Sequence, residues 1–380
     1  MALVDVARSG QSLQPGHLVI SLLSLLALCQ ISHARYGCRD LDGKPVDWFV
    51  ALKLSGNKEY VMSDSNLKEA EWRKEKGSLD DTSAGIAATL KQIYNQDTSA
   101  FNLLYSDDGP VKKSEGYRAH AKGALLFDGT SGFWMIHSVP NFPPLYNYSY
   151  PETGVKFGQS FLCVTLPTEQ LANVGEQLMF MQATPFLSNL PERFAARFPV
   201  LRTVIAKKSL APSATVFTSV KRLTTVAGVE FISYSKHKKF KKDIWQDLVA
   251  AESRTSLGVE SWLNGNSPDL HSNCGKDFNI YDVTMVSLPG AGNFSSSMDH
   301  SKWAVADKST MPMVCIGDMN RQKAQLTRGG GAVCTMNAGL WRIFKAAVVD
   351  VEECKPSHGT GIHWQPYLCA LTVSVQRALC

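Results

Sequence analysis

Short runs in which apolar residues outnumber polar ones recur along this chain, the pattern of strands. Such runs cover residues 46–54 (VDWFVALKL), 121–127 (AKGALLF), 133–139, 160–166 (SFLCVTL), 278–288 and 302–306. Helical spacing of apolar residues marks 84–94, 168–182 with Thr168 placed to cap it, and 243–253. Strands and helices mixed along the whole length predict an α/β architecture. Proline and glycine punctuate 141–154, which reads as a long ordered loop.

Two of the strand runs belong to an internal echo. His120-Ala121-Lys122 and His300-Ser301-Lys302 share an H-x-K pattern and stand 180 residues apart. After each comes a short apolar strand, a loop with an acid and a second apolar strand: GALLFDGTSGFWMIHS in one place, WAVADKSTMPMVCIGD in the other. Overlaid without a gap, Ile136 falls on Ile316 and Ser138 on Asp318. Two copies of one unit present an H-x-K at the same structural position. The echo divides the chain into a leader, 1–34, an N-terminal half, 35–195, and a C-terminal half, 196–380.

The leader differs in kind from the rest. Arg8 precedes an apolar run at 18–29 (LVISLLSLLALC), shorter than the roughly 20 residues that span a bilayer. Ser32-His33-Ala34 places small residues where a signal peptidase cuts, so 1–34 is expected to be a signal peptide removed after Ala34. The competing reading is an uncleaved anchor or a false start codon. No later stretch is apolar for 18 residues, so no membrane anchor is expected in the mature chain.

Composition then matters through cysteine and charge. With 380 residues, 44% hydrophobic and 19% charged, the chain can bury a large core, which excludes a disordered polymer. Of nine cysteines, Cys29 goes with the leader, leaving Cys38, Cys163, Cys274, Cys315, Cys334, Cys354, Cys369 and Cys380. An even number suits an oxidising lumen, and the spacing lacks the two close pairs of a zinc site; disulfides are expected, and no metal. The sequons Asn147-Tyr148-Ser149 and Asn293-Phe294-Ser295 fit the same route as glycosylation sites. The net charge of +5 is unchanged by cleavage, because Asp5 and Arg8 cancel. The histidines charge in an acidified compartment, making an anionic polymer the natural partner.

An imidazole and an ammonium side by side suit a phosphodiester. Residues i and i+2 of a strand face one side, so each histidine projects with its lysine. The lysine neutralises non-bridging oxygens, while the histidine is free for attack or proton transfer. If the copies pair across a pseudo-two-fold axis, one histidine attacks phosphorus and the other protonates the leaving oxygen. Flanking cations disfavour the imidazolium, so the acid is expected to be charged only at low pH.

These units resemble the duplicated motif of the phospholipase D superfamily: H-x-K, four residues, Asp, then G-S-x-N. The second copy follows it with His300, Lys302, Asp307 and Gly317-Asp318-Met319-Asn320. The first departs, since Asp128 is one residue late and His137-Ser138-Val139-Pro140-Asn141 replaces the second element. The flanking segments 44–50, 132–144, 150–154, 158–163, 298–303, 317–321 and 328–331 resemble the deoxyribonuclease II family.

That resemblance implies a phospholipase D-like α/β pseudo-dimer, two mixed-sheet halves packed around one active site. It implies an acid endonuclease, lysosomal or secreted, that cuts double-stranded DNA without a cofactor or divalent metal and leaves 3'-phosphate and 5'-hydroxyl ends. Carried over, His120, Lys122, His300 and Lys302 form the catalytic set, with His137, Asp307 and Asn320 in support. It also implies disulfides Cys38–Cys163, Cys274–Cys354 and Cys315–Cys334, leaving Cys369 and Cys380 to pair. A homodimer is left open.

Other features carry blander readings. The run 236–242 (KHKKFKK) is either a contact for DNA phosphates or a solvated loop. His358 and His363 lack further metal ligands and read as structural. Trp134 and Trp303 read as core, and Gly329-Gly330-Gly331 as a tight turn beside Cys334. Two alternatives to the nuclease are a phosphodiesterase acting on lipid head groups and a non-catalytic secreted protein that binds polyanions.

Overall fold

The computed structural model describes residues 35–74, 77–110, 115–274 and 277–354. The leader, His358, His363, Cys369 and Cys380 lie outside the described residues. Two large sheets carry the mixed α/β fold. The first has eight strands in the spatial order Pro185–Asn189, Phe101–Ser106, Lys122–Phe127, Ser131–His137, Gln159–Pro167, Trp48–Lys53, Tyr60–Asp64 and Arg73–Lys74. The second runs Thr218–Thr224, Glu230–Lys236, Gly330–Met336, Met313–Gly317, Trp303–Ala306, Leu257–Glu260, Ile280–Leu288 and Gly292–Ser295, with Val348–Val351 also paired to Ile280–Leu288.

The centres of the two sheets repeat one another. Each sheet pairs the strand after its H-x-K with the strand that ends near residue 137 or 317, then with a long strand that follows a glycine, Gly158 or Gly329. Ile136 pairs with Gly123 and Ile316 with Trp303, so the gapless overlay of the two segments holds in register. The edges depart from the repeat. In the first half Trp48–Lys53 precedes its outer neighbour Tyr60–Asp64, whereas in the second the outer strand Thr218–Thr224 comes before Glu230–Lys236.

Helices form where apolar spacing predicts them, with different ends. The 84–94 stretch is a helix, Gly85–Lys91, closed by a 3-10 turn, Gln92–Asn95. Thr168 does not cap its helix: it lies in a 3-10 turn, Thr168–Gln170, and its hydroxyl donates to the Asp128 carbonyl at 2.9 Å. The helix proper is Leu171–Met181. The 243–253 stretch contains a π-helical turn, Trp245–Ala250, followed by a short α turn, Ala251–Ser253.

One buried cluster crosses the two halves. Trp48, Val50, Leu52, Trp134 and Leu162 on one face of the first sheet join Val174, Leu178 and Met181 of the helix and Val259, Trp303 and Val305 of the second sheet. The helix Leu171–Met181 belongs to the first half by sequence, yet it lies against Thr218–Thr224 and Glu230–Lys236 of the second. Each large apolar side chain so buried contributes about 1.5–3 kcal/mol. The opposite face of the first sheet, with Phe49, Phe133, Met135 and Phe161, packs under Ile86 and Leu90 of Gly85–Lys91. Disulfides join Cys38 to Cys163, Cys274 to Cys354 and Cys315 to Cys334. Among the described residues no helix is long and apolar enough to cross a membrane.

Candidate active site

Each H-x-K enters its strand through an isolated parallel bridge to the other half. Ala119 bridges Gly329, and Asp299 bridges Gly158. The His120 amide therefore donates to the Gly329 carbonyl at 2.8 Å, and the His300 amide to the Gly158 carbonyl at 2.9 Å. The imidazoles repeat the exchange. His120 Nδ1 lies 2.5 Å from the Asp318 carbonyl oxygen and His300 Nδ1 lies 3.0 Å from that of Ser138, the two residues that the overlay aligns. A carbonyl only accepts, so each Nδ1 carries the proton and each Nε2 keeps its lone pair. Lys302 Nζ also approaches His300 Nδ1, at 3.2 Å, but it donates to the His300 carbonyl.

Close packing explains the glycines. A Cβ on Gly329 would sit 1.9 Å from the Met181 carbonyl oxygen, and one on Gly330 2.1 Å from Met319 Sδ. A Cβ on Gly158 would sit 2.3 Å from Asp299 Oδ1. The run 329–331 is thus no tight turn. It is the entry to the strand Gly330–Met336, threaded between Met181 and Met319 so that its backbone reaches His120.

The two halves differ in charge. Lys122 Nζ donates to Asp107 Oδ1 at 2.6 Å, and Arg328 from the second half donates to Asp107 Oδ2 at 2.8 Å and to the Ala119 carbonyl. Burial opposes the Asp107 carboxylate, yet Lys122, His120 and Arg328 hold it well below the usual range. Among the described residues no carboxylate pairs with Lys302 beside His300; Trp262 turns its ring edge-on to the imidazole at 5.1 Å between centroids. Glu260 is buried and hydrogen-bonded by Ser296, and burial raises its pKa well above the ordinary value. Burial also raises Asp299, and lifts Asp318 to about 8. Each of these shifts favours the neutral carboxyl as the pH falls.

Both H-x-K imidazoles are shifted down. Burial, then the adjacent Lys122, pushes His120 well below its ordinary value; burial, then Lys302 and Lys122, does the same to His300. Burial and the neighbouring Lys122 likewise lower Lys302. These mutual influences place the four H-x-K side chains within electrostatic reach of one another.

The remaining predicted residues sit elsewhere or in supporting positions. His137 is fully buried between Phe142 and Phe161, with ring centroids 5.2 and 6.0 Å away; its Nδ1 accepts the Val139 amide at 3.2 Å, and burial lowers it to about 3. Asp307 lies at the far end of Trp303–Ala306, where Oδ1 accepts from Lys345 at 3.0 Å. Asp128 closes the hairpin of the first copy by accepting from Thr130 and Ser131. Asn320 is buried two residues beyond Asp318, and its Oδ1 has no hydrogen-bond partner among the described residues. Trp134 and Trp303 are core. The sequon residues Asn147 and Asn293 are exposed. Among the described residues no group of three or more His, Cys, Asp or Glu side chains is arranged to hold a metal.

Sequence reasoning missed Asp107, Arg328, Gly158 and Trp262. Asp107 lies one residue beyond the strand Phe101–Ser106, and nothing in its local pattern separates it from other loop acids. Arg328 carried a signal, since it stands next to the glycine run in a segment already aligned with the family.

The family model described as "Deoxyribonuclease II" matches residues 37–354. "Cell-death-related nuclease 7" of Caenorhabditis elegans is 47% identical, the match covering 84% of this chain and 88% of that one. "Deoxyribonuclease-2-alpha" of Mus musculus is 36% identical, over 87% and 97% of the two chains. "Deoxyribonuclease-2-beta" of Homo sapiens is 34% identical, over 89% and 96%. Among solved structures, a polyphosphate kinase from Porphyromonas gingivalis covers 59% of this chain and 31% of its own, at 10% identity and a TM-score of 0.25, too slight a likeness to carry any argument. The match along nearly all of the described chain, together with these identities, establishes that the chain belongs to the deoxyribonuclease II family.

Proposed function

We propose that this chain is an acid endodeoxyribonuclease, a hydrolase that cuts the phosphodiester bonds of double-stranded DNA through a phosphohistidine and without a divalent metal. The observation that carries this reading is the reciprocal holding of the two imidazoles: each Nδ1 faces a backbone carbonyl of the opposite half, and each Nε2 is left free. One Nε2 attacks phosphorus, and the bond to the 5' oxygen breaks as that oxygen takes the proton of the other, charged imidazole. Water then attacks phosphorus, giving its proton to the second imidazole as the phosphorus–nitrogen bond breaks. One water is consumed, and the ends are a 3'-phosphate and a 5'-hydroxyl. Lys122 and Lys302 neutralise the non-bridging oxygens, and Asn320 and His137 support the site.

The working pH follows from the shifts. Both imidazoles are held neutral by burial and by their lysines, so the general acid is charged only as the pH falls. An acidic lumen suits this chemistry. The leader, the disulfides and the exposed sequons suit a secretory route that ends in lysosomes or outside the cell.

The test is cleavage of duplex DNA at pH 5 in chelator by His120→Ala and His300→Ala proteins shown to be folded. Each is expected to lose at least about a hundredfold in rate, since positioned acid–base groups contribute about 10²–10⁴. Retained cleavage overturns the reading. Release of phospholipid head groups in place of DNA fragments would move the site to lipid diesters, and DNA binding by the unaltered protein with no cut product would make it a binding protein.

A further inference from the structure

The difference in charge between the two halves continues just outside the proposed catalytic core. Lys53 and Lys236 occupy matching places, since Lys53 pairs with Gln159 and Lys236 with Gly330, the residues that follow Gly158 and Gly329. The chain beyond Lys53 is Ser55-Gly56-Asn57-Lys58, whose single cation is paired with Asp80 at 3.0 Å and Glu152 at 3.2 Å. The chain beyond Lys236 carries Lys238, Lys239, Lys241 and Lys242, of which the last three are exposed. None of the four pairs with a carboxylate among the described residues.

The same asymmetry appears before the catalytic histidines. Tyr117 stands three residues ahead of His120 with 66% of its surface exposed, while the residue three ahead of His300 is Ser297. Lys238 Nζ lies 5.6 Å from the centroid of the Tyr117 ring. Lys239 sits similarly over Phe217, at 5.6 Å. Such contacts orient an ammonium without neutralising it. The turn Lys238–Phe240 also packs against Lys323–Thr327, the segment that delivers Arg328 and Gly329 to the site. Three residues reach at most about 10 Å, so the Tyr117 backbone stands no more than about three base-pair steps from that of His120.

We propose that Tyr117 with Lys238, Lys239, Lys241 and Lys242 forms a one-sided seat for the duplex flanking the scissile phosphate, so that DNA extends from the active site over the C-terminal half's basic loop. This rests on the nuclease reading above. Lysines opposite a phosphate backbone release condensed counterions, and the resulting affinity is independent of base sequence and steeply dependent on salt.

The experiment measures Kd for a fluorescent duplex of about 20 base pairs by anisotropy at pH 5, across a salt series, with every protein carrying His300→Ala so that the probe is not cut. It compares the protein with no further change, the combined variant Lys238→Gln, Lys239→Gln, Lys241→Gln, Lys242→Gln, and Lys58→Gln on the matching turn. The fourfold variant is expected to bind at least about tenfold more weakly at low salt, with a log–log salt slope shallower by about 2 to 4, since each phosphate contact contributes about 0.9. Lys58→Gln is expected to leave both quantities where they are. If the fourfold variant does not fold, Lys239→Gln with Lys241→Gln carries the same test with a slope change of about 1 to 2. Unchanged Kd and slope in a folded variant, or equal losses from Lys58→Gln, overturn the one-sided seat. Failure of the His300→Ala protein with its lysines intact to bind duplex at all would instead defeat the nuclease reading beneath it.

Discussion

Asp107 bonds two cations that come from different halves, Lys122 and Arg328, and it also faces His120. A carboxylate beside an imidazole favours the charged ring, so removing it lowers His120 further below its already depressed value. Activity that depends on a charged His120 is lost as the pH rises through its pKa. In Asp107→Asn that alkaline limb is therefore expected to move to lower pH, and the rate at pH 5 to fall by up to about a hundredfold as Lys122 loses its anchor. The variant also leaves the buried Lys122 without its carboxylate and takes one partner from the half-buried Arg328, which destabilises by about 3 kcal/mol. A melting curve reports that loss, whereas the pH–rate profile reports the catalytic one; a lower melting point with an unmoved profile would leave Asp107 a structural residue only.

The backbone segments that hold the histidines are themselves held by buried lysines at matching places. Lys53 Nζ donates to the carbonyls of Gly154, Val155 and Phe157, the last at 2.6 Å, and Lys236 Nζ to those of Lys242, Gln325 and Leu326, each at 3.0 Å. Burial lowers Lys53 to about 7 and Lys236 to about 8, so both are charged at pH 5, where the chemistry is proposed to run. Each ammonium thus fastens the loop whose next residues include Gly158 or Gly329. Lys53→Met and Lys236→Met are each expected to cost about 3 kcal/mol of stability through carbonyls left unpaired, and to lower cleavage of folded protein without changing the Kd for duplex DNA. Full activity in a folded variant would remove this positioning role. Neither lysine was legible in the sequence as a positioning group. Lys236 read as one member of a basic run, and two of its three partners, the carbonyls of Gln325 and Leu326, lie 89 and 90 residues away. Short apolar runs mark strands, which is why 121–127 and 302–306 lie close to the observed Lys122–Phe127 and Trp303–Ala306, both buried along their whole length. Such a run does not report what its neighbours meet, so Gly329, whose role is set by His120 in the other half, read as a turn. Thr168 failed as a cap for a related reason, because its hydroxyl is taken by Asp128 across the hairpin.

At the scale of the whole molecule the H-x-K echo was legible because duplication leaves its spacing in the chain, and with it the expectation of two halves packed around one site; the exchange of partners between the halves was not. Neither half contains a complete site. His120 takes its backbone and ring partners from Gly329 and Asp318, His300 takes its own from Gly158 and Ser138, and Arg328 completes the ion pair of Asp107. The apolar core makes the same point, since Val174, Leu178 and Met181 from one half are buried with second-sheet residues of the other. Separating the halves at residue 195 would expose that helix face and leave both imidazoles without the carbonyls that fix their tautomer. The expected outcome is that segments 35–195 and 196–354, prepared apart, each cut no DNA at pH 5, and that any recovered activity on mixing rises with the product of their concentrations below saturation. Cleavage by one segment alone, linear in its own concentration, would mean that a single H-x-K suffices and that the reciprocal holding of the two histidines is not needed for the reaction.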